Sequence, residues 1–567
     1  MRFLPLSIVL LAVVTGCKTL DRPAPADMVL YNGKIATVDE NLGEVQAPAV
    51  QDGRILAVGS SAAMQRFVGP GTQVLDLEGR RAIPGFIEGH GHFAGIGSSK
   101  LQLDLMSVHS WDEVIEQVAA AVKVAQPGEW ILGRGWHQEK WDVAPSPSVE
   151  GFPTHAALSA VSPNNPVCLT HASGHACFFN AKAMELAGVD GNTPDPAGGE
   201  ILRGADGAAT GIFSETAQWL VKQVAAEQME ASPEEARLQL RKRIALADAE
   251  CLSNGVTSFQ DAGSSFETVD ALREMADAGE LGVRLWVMLS ASNEELAARM
   301  ADYRQIGTGD GHLTVRAVKR WIDGALGSRG AWLLEPYSDL PGSTGLNTST
   351  VESVTETARL CRENGFQLCV HAIGDRANRE VLDVYQKSFE AAPEEASLRW
   401  RVEHAQHLNP LDIPRFFELG VIASMQGVHC TSDAPYVLAR LGEERAEEGA
   451  YVWRKLMESG AIVSNGTDAP VENVSPIASY YATVSRMLQD GTRFYPDQRL
   501  GRLEALETYT LNCAYAAFEE DLKGSLTPGK LADIVVLDTD ILTCPEADIP
   551  ATNVDYTIVG GRILFER

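Results

Sequence analysis

Two histidines one residue apart, His90 and His92, end a short apolar run that starts at Ala82. Residues at i and i+2 of a strand point to the same side, so both imidazoles could bind one metal ion through neutral nitrogens. A single His-x-His pair is weak evidence, because most such pairs are structural or exposed. Three later residues, each following another apolar run, make the series a predicted metal site: His371, His404 and Asp468.

The middle of the chain alternates apolar strands with amphipathic helices, which is the pattern of repeated βα units. With a first strand at Ala82–Phe86 the strand candidates number eight, so the sequence predicts an α/β fold with a (β/α)8 TIM-like barrel. Such barrels place catalytic residues at the C-terminal ends of their strands, where the candidate ligands fall. The other strand candidates are Val256–Phe259, Val283–Met288, Val315–Ile322, Gln367–His371, Trp400–His404, Val421–Met425 and Ile462–Ser464. The helix candidates include Pro233–Ser253, Glu267–Ala278, Ser349–Asn364, Ala377–Ala391 and Pro410–Leu419.

Both ends of the chain hold short β segments separated by turn signals such as Asn32-Gly33 and Gly560-Gly561. A composite β-sandwich made from both termini is therefore predicted. A segment with a hairpin at Glu200–Gly211 does not fit the βα repeat and is predicted to lie over the barrel mouth. The predicted domains are 28–82 plus 521–567 for the β-sandwich and 83–520 for the barrel, with the insertion at about 98–230.

The N-terminus looks like a targeting segment, because the apolar stretch Phe3–Val14 is too short to span a bilayer. Small residues before Cys17 resemble the bacterial lipoprotein signal, in which that cysteine is lipidated; a plain secretory signal is the alternative. Lys18 resembles the outer-membrane sorting pattern. We expect a signal peptide at 1–17, a tether at 18–27, and an exported lipoprotein facing the periplasm, with the outer membrane favoured. The lipid on Cys17 would be its only membrane contact.

Charge and cysteine content limit the possible partners. The 567 residues include 47 Lys and Arg against 76 Asp and Glu, a formal charge of -29. This argues against nucleic acid, which needs a clustered basic surface, and against docking on anionic lipid. A homodimer is only the default expectation. Of the eight cysteines besides Cys17, most sit in apolar runs as expected buried thiols, and Cys168 with Cys177 is the one local pair worth testing for a disulfide.

Six motifs of the chain together resemble a known family. They are Pro84-Gly-Phe-Ile-Glu-Gly-His-Gly-His92, Asp323-Gly-Ala-Leu-Gly-Ser-Arg329, His371-Ala-Ile-Gly-Asp-Arg376, Glu403-His404, Gly466-Thr-Asp-Ala-Pro-Val471 and Gly524-Ser-Leu-Thr-Pro-Gly-Lys-Leu-Ala-Asp-Ile-Val-Val-Leu537. This set resembles the metal-dependent amidohydrolase superfamily, and within it the family 3 branch that includes N-substituted formamide deformylase. The resemblance runs from about residue 28 to the C-terminus.

The resemblance implies a barrel that holds one or two divalent metals, usually Zn²⁺. His90 and His92 would hold the more buried ion, and His371 and His404 the other. In binuclear members a carboxylated lysine at the end of the fourth strand bridges both ions, and Lys319 lies where that lysine is expected. The alternative is an ordinary surface lysine beside Arg320, in which case the site is mononuclear or Lys319 has another role.

The resemblance also implies hydrolysis of a carbon–nitrogen bond in a small-molecule amide. Zinc lowers the pKa of a bound water toward about 7 and polarises a carbonyl, while Asp468 would act as a metal ligand and as general base and acid. Its alternative is a helix cap before Pro470. His429, which follows the seventh strand, could stabilise the oxyanion.

Six further residues are candidates for substrate binding. Trp136, His137, His171 and His175 lie in the predicted insertion and either line the pocket or pack within it. Arg329 and Arg376 could bind a substrate carboxylate, but pairing with the nearby Asp323 and Asp375 is the favoured interpretation.

Two other functional interpretations remain. The same fold and metals could serve carbamate or ester hydrolysis, cyclic-imide opening or isomerisation. A non-catalytic solute-binding lipoprotein is disfavoured, because a binder has no use for a general base such as Asp468.

Overall fold

The computed structural model describes residues 23–229, 232–393 and 398–567. The predicted signal peptide, the lipidation site Cys17 and the first part of the tether lie outside the described residues. Within the described ranges, no helix combines the length and the apolar character needed to cross a bilayer.

Eight parallel strands form the centre of the molecule in sequential order, and their residues are almost all buried. The last strand returns to the first, because the backbone N–H of Asp468 donates to the carbonyl of His90 at 2.8 Å. The predicted eight-stranded barrel is therefore confirmed as a nearly closed parallel barrel. Its strands are β1 (Phe86–Gly91), β2 (Val256–Ser264), β3 (Arg284–Leu289), β4 (Leu313–Trp321), β5 (Gln367–Ala372), β6 (Arg401–His404), β7 (Ile422–Gln426) and β8 (Val463–Gly466).

The first barrel strand differs from the predicted one. Arg81–Pro84 pairs antiparallel with Ile534–Leu537 of the C-terminal region, and the barrel begins only at Phe86. Gly85 separates the two strands, and a Cβ atom on it would lie 2.1 Å from the Thr257 side chain. The apolar run continues across this glycine, so hydrophobicity alone could not show where the chain changes sheets. His90 consequently lies inside β1 rather than after it.

Helices surround the barrel and cover its strands. The helix before β2 begins with a capping box, in which Ser232 and Glu235 bond each other's backbone, and with a proline at its first position. The described helices of this part with at least six residues are Phe93–Ser99, Pro233–Ser253, Phe266–Asp277, Asn293–Tyr303, Val351–Asn364, Asp375–Ala391, Ile413–Glu418, Gly427–Leu441, Glu443–Gly449, Trp453–Glu458, Pro476–Ser485, Arg502–Thr508 and Leu511–Ala516.

Two sheets built from the chain ends pack against each other. One sheet has four strands from the N-terminal region, and the other has six strands drawn from both termini. Their shared core contains Met28 and Ile55 from the N-terminal part together with Ile534 and Ile558 from the C-terminal part. The strands, in sheet order, are Arg54–Gly59, Ala47–Gln51, Met28–Tyr31 and Gln73–Asp76, then Arg562–Glu566, Val554–Val559, Ile534–Leu537, Arg81–Pro84, Lys34–Ala36 and Glu44–Val45.

The part of the chain between β1 and β2 that contains the predicted insertion has its own six-stranded sheet. Its strands, in sheet order, are Gly199–Arg203, Ala209–Glu215, Ala176–Phe179, Val167–His171, Ile131–Trp136 and Leu103–Asp104. The insertion covers the C-terminal end of the barrel, because His137 and His175 line the same cavity as His371 and His404. Within its sheet, Cys168 and Cys177 are buried thiols whose Sγ atoms lie 3.1 Å apart.

Candidate active site

His90 and His92 lie at the C-terminal end of β1 and face the barrel axis. His90 is fully buried within the strand, whereas His92 caps the following helix and its side chain is one-third exposed. Both Nε2 atoms approach the same carboxylate oxygen, Oδ1 of Asp468, at 3.6 and 3.2 Å. Three groups from the first and last strands therefore meet at one point.

Two of the predicted metal ligands hold an unusual backbone conformation. Asp468 and His404 have φ angles of 58° and 76°, in the left-handed region that non-glycine residues rarely occupy. Such strain persists only where surrounding contacts enforce it, and it concentrates at functional sites. Here it turns each side chain into the barrel mouth directly after its strand.

A buried ionic network fixes the orientation of the His90 ring. Its Nδ1 bonds the carboxylate of Glu403, which in turn receives Nε and Nη2 of Arg401 at 2.7 and 2.8 Å. Glu403 and Arg401 are fully buried. Because a carboxylate can only accept, Nδ1 of His90 carries the proton and Nε2 presents its lone pair to the barrel axis.

His404 is oriented by the same principle. Its Nδ1 lies 2.7 Å from Oε1 of Gln426, and the Gln426 amide donates in turn to the carbonyl of Ser424 at 3.1 Å. The amide oxygen accepts, so Nε2 of His404 also offers a lone pair. The His404 ring lies between those of His90 and His371, with centroids 4.7 and 4.5 Å away.

Asp323, which the sequence suggested only as an arginine partner, instead supports the β5 end of the site. Its carboxylate accepts backbone N–H groups from Ile373, Gly374 and Trp332 at 2.8 to 3.0 Å, and Oδ1 lies 3.5 Å from Nε2 of His371. Burial raises the pKa of Asp323 to about 7.

Lys319 is fully buried in β4, with Nζ 3.3 Å from Nε2 of His90. The alternative of a surface lysine is therefore wrong. Burial lowers the pKa of the Lys319 ammonium, and the nearby carboxylates of Glu403 and Asp468 only partly offset that. The lysine thus faces the candidate ligands from the wall opposite Asp468.

The electrostatics keep His90, His371 and His404 neutral and Asp468 ionised. Burial, assisted by the charge of Lys319, lowers the pKa of His90 to about 4. Burial alone would raise the pKa of Asp468, but the neighbouring His92, His90 and His404 hold it well below its ordinary value. Neutral imidazoles and a carboxylate are the protonation states that metal binding requires.

The donor set fits a divalent metal ion. Donor atoms of His90, His92 and Asp468 lie within 4.8 Å of one another, and so do those of His404, His429 and Asp468. Three buried polar atoms at this place have no hydrogen-bond partner among the described residues: Nε2 of His371, Nε2 of His429 and Oδ1 of Asp468. Nitrogen and oxygen ligands around one open position are typical of catalytic zinc sites.

His429 lies in the first turn of the helix after β7. Its Nδ1 is 3.0 Å from Nε2 of Gln406, a residue that immediately follows the β6 end of the site. Both residues are buried and line the cavity. Gln406 has no metal-binding or acid–base group, so sequence reasoning did not select it.

Comparison with known proteins identifies the family. The amidohydrolase family model matches residues 73–565, which is most of the chain. The chain belongs to the amidohydrolase family. It is 34% identical to the Protein LONG AFTER FAR-RED 3 of Arabidopsis thaliana, over 97% of this chain and 93% of that protein.

Two further relatives support a metal-dependent hydrolase. The N-substituted formamide deformylase of Arthrobacter pascens is 27% identical over 95% of this chain and 98% of its own length. A solved structure of an uncharacterized metal-dependent hydrolase from Pyrococcus horikoshii OT3 matches with a TM-score of 0.73 at 27% identity, covering 92% of this chain and 99% of that chain.

In this amidohydrolase the insertion contributes to the cavity in two layers. His137 and His175 line it directly. His171 lies behind them, bonded to Gln138 and Ser173, and Trp136 packs against its ring at 4.7 Å while donating to a backbone carbonyl. Burial lowers the pKa of His171 to about 3, as suits a packed neutral ring.

The two arginine candidates lie elsewhere in the amidohydrolase. Arg329 pairs with Asp339 at 3.0 Å, and Arg376 stacks on Trp332 near Glu380; neither lines the cavity. The expected pairing with Asp323 and Asp375 is also wrong, because both of those carboxylates accept backbone N–H groups instead.

Charged side chains that the sequence did not suggest line the mouth of the cavity. Lys140 of the insertion pairs with Glu472, which follows β8, at 3.2 Å, and Asp433 lies on the same wall. Their signal in the sequence is weak, since each sits in a polar loop or helix like many others. The pair joins the insertion to the barrel beside Asp468.

Proposed function

We propose that this protein is a zinc-dependent hydrolase that cleaves the carbon–nitrogen bond of a small amide. The observation that carries this is a cluster of four histidines and one aspartate at the C-terminal end of the barrel. Among the described residues, buried nitrogen and oxygen atoms of this cluster have no hydrogen-bond partner. This is the end at which barrel enzymes carry out their chemistry.

His90, His92 and Asp468 would hold one ion, and His371 with His404 would hold a second. Lys319 is placed to become the bridge, because a buried amine with a lowered pKa is more often uncharged and can form a carbamate with carbon dioxide. When bound, the ions would acidify a water molecule and polarise the substrate carbonyl.

Asp468 would move the proton. Among the residues that the structure describes, its Oδ1 has no hydrogen-bond partner, and it lies beside both β1 histidines, so it can accept a proton from the attacking water. The same oxygen can then deliver that proton to the leaving nitrogen, which must be protonated to depart as an amine. His429 lines the same cavity, so its buried Nε2 can meet the carbonyl oxygen.

The size and polarity of the cavity favour a small substrate. Its volume is about 50 Å³, and nine of its 17 lining residues are histidines or charged residues. The relative from Arthrobacter pascens is named for removing formyl groups from N-substituted formamides, and a formyl group is the smallest acyl group. A formamide or a similarly short acyl amide is the substrate class that we infer.

The decisive experiment is metal removal and restoration on the whole protein. Dialysis against a chelator should abolish hydrolysis across a panel of formamides, short N-acyl amines, carbamates and dipeptides, and added Zn²⁺ should restore it. Metal analysis of the active protein should give one or two ions per chain. Hydrolysis that survives complete metal removal would reject the proposal, and carbamate turnover without amide turnover would redirect it to the alternative substrates.

We also propose that the protein is an exported lipoprotein. The support is the sequence pattern around Cys17. Radiolabelled palmitate should label the wild-type protein expressed in a Gram-negative host but not a Cys17→Ser variant, and the wild type should fractionate with the outer membrane. Equal labelling of both would contradict the proposal.

A further inference from the structure

Two glutamine–histidine pairs face the cavity, and they are arranged in opposite ways. In the first, the amide oxygen of Gln426 faces Nδ1 of His404 at 2.7 Å. In the second, the amide nitrogen of Gln406 faces Nδ1 of His429 at 3.0 Å. An amide oxygen only accepts hydrogen bonds and an amide nitrogen only donates them, so the two histidines must carry their ring proton on different atoms.

The difference decides what each ring offers to the cavity. His404 keeps its proton on Nδ1 and presents the lone pair of Nε2. His429 accepts at Nδ1, so its proton is on Nε2, and that buried atom has no partner among the described residues. A buried N–H without an acceptor is costly and therefore indicates a missing partner that supplies one.

We infer that Gln406 is a positioning residue that makes His429 a hydrogen-bond donor to the substrate rather than a metal ligand. Distance alone allows His429 either role, because the donor atoms of His404, His429 and Asp468 lie within 4.8 Å of one another. The Gln406 amide selects between them. The inference rests on the proposed hydrolase function, since the acceptor is the carbonyl oxygen that becomes negative during attack.

The surroundings leave the choice to Gln406. His429 and Gln406 are 5% and 4% exposed, so bulk water does not compete for Nδ1. The backbone carbonyl of Gln406 is held by the N–H of Tyr451 at 2.7 Å, which fixes where its side chain starts. The His429 ring lies nearly parallel to that of His404, with centroids 6.4 Å apart. The Nε2–H of His429 is therefore held beside the candidate metal ligands.

A change of one atom type should reverse the arrangement. In a Gln406→Glu variant the carboxylate can only accept, so the ring proton of His429 moves to Nδ1 and Nε2 loses its hydrogen. In a Gln406→Met variant of similar length neither nitrogen is favoured. His404, which already faces an acceptor in Gln426, should keep its own proton position in both variants and serves as the internal reference.

The test is ¹⁵N NMR of zinc-loaded protein labelled in its histidines, with the His429 signals assigned by their loss in a His429→Asn variant. Wild-type His429 should show a protonated Nε2 and an unprotonated Nδ1, the opposite of His404, and Gln406→Glu should invert it. The kcat of Gln406→Glu should fall by about 10²- to 10³-fold with little change in KM, as for loss of one oxyanion donor. The kcat of Gln406→Met should lie between those of the wild type and of Gln406→Glu.

Two results would overturn the inference. The first is a protonated Nδ1 on His429 of the wild type. The second is an inverted proton position in Gln406→Glu with kcat reduced less than tenfold. Absence of hydrolysis by the zinc-loaded wild type would instead reject the proposed function, and the NMR result would still report on the Gln406–His429 pair.

Discussion

The barrel rim and the insertion both bring histidines to the cavity, but they hold the rings differently. On the rim, His90 and His404 have Nδ1 engaged by an acceptor behind them, which leaves Nε2 facing the cavity. In the insertion, both ring nitrogens of His171 are bonded within the insertion, and His175 is tied to Glu215. The proposed ligand chemistry therefore belongs to the rim, and the insertion gives the cavity its shape.

The polar partners behind the two sets also differ. The rim relies on the Glu403–Arg401 pair, which is fully buried and bidentate. The insertion meets the barrel through pairs that solvent reaches, such as Lys140 with Glu472. Removing one partner of a buried ion pair greatly lowers the free energy of unfolding, whereas removing one partner of an exposed pair lowers it little. Substitutions on the rim should therefore change catalysis and stability, whereas substitutions in the insertion should change substrate access to the cavity.

The largest expected effect comes from Asp468 on the rim. An Asp468→Asn change removes the proton acceptor while keeping the shape of the side chain, so kcat should fall by about 10²- to 10⁴-fold. The matched change in the insertion, His171→Asn, should alter KM more than kcat, because His171 does not line the cavity. Steady-state kinetics on metal-analysed protein measure both. Undiminished turnover by Asp468→Asn would exclude the proposed proton transfer.

The second effect concerns stability. A Glu403→Gln change leaves the Arg401 guanidinium buried without its counter-charge, which should lower the free energy of unfolding by about 3–5 kcal/mol. Arg440 provides the comparison, because it pairs with both Glu139 of the insertion and Asp339. A Glu139→Gln change leaves the second pair intact and should cost under about 1 kcal/mol. Urea unfolding of the metal-free variants gives both values, and equal losses would remove the distinction between the regions.

The third effect is a pH dependence on the barrel side. His407 follows β6, is buried, and has no partner for either ring nitrogen among the described residues. Burial lowers its pKa to about 3, against about 6.5 in an unfolded chain. Between these values the unfolded chain binds the extra proton, so the His407 contribution to stability is complete above pH 6.5 and is lost as the pH falls.

A His407→Leu variant should therefore lose less stability than wild type on acidification, by about 2 kcal/mol between pH 7 and pH 5 at ~1.4 kcal/mol per unit. Urea unfolding at the two pH values measures the difference. His109 of the insertion is mostly exposed, so a His109→Gln variant should follow the wild-type curve. A wild-type-like curve for His407→Leu would show that its ring is solvated.

The barrel was predictable because its strands are apolar runs spaced by amphipathic helices, and each observed strand after the first overlaps its predicted one. The switch at Gly85 was not, since the run from Ala82 to Phe86 is apolar on both sides of it. There the change of partner depends on the close approach of Thr257, which lies far away in the sequence.

The site was predictable only where the residue type itself indicates a chemical role. Histidines and an aspartate at strand ends suggest ligands, but a glutamine such as Gln406 suggests nothing until its neighbour is known. The role of Glu403 likewise needs the barrel to bring β1 and β6 together. The arginine prediction failed for the converse reason, because proximity in sequence paired Arg329 with Asp323, whereas backbone N–H groups occupy that carboxylate.

The smallest expected effect is at the junction of the two regions. Lys140 is one-third exposed in its pair with Glu472, so a Lys140→Met change should alter the free energy of unfolding by less than about 1 kcal/mol. Because both residues line the mouth of the cavity, KM should change while kcat stays within a few-fold. Glu185→Gln, which breaks the exposed Lys182–Glu185 pair within the insertion, is the matched control and should leave KM unchanged. A large fall in kcat for Lys140→Met would show that the insertion takes part in the chemistry as well as in access.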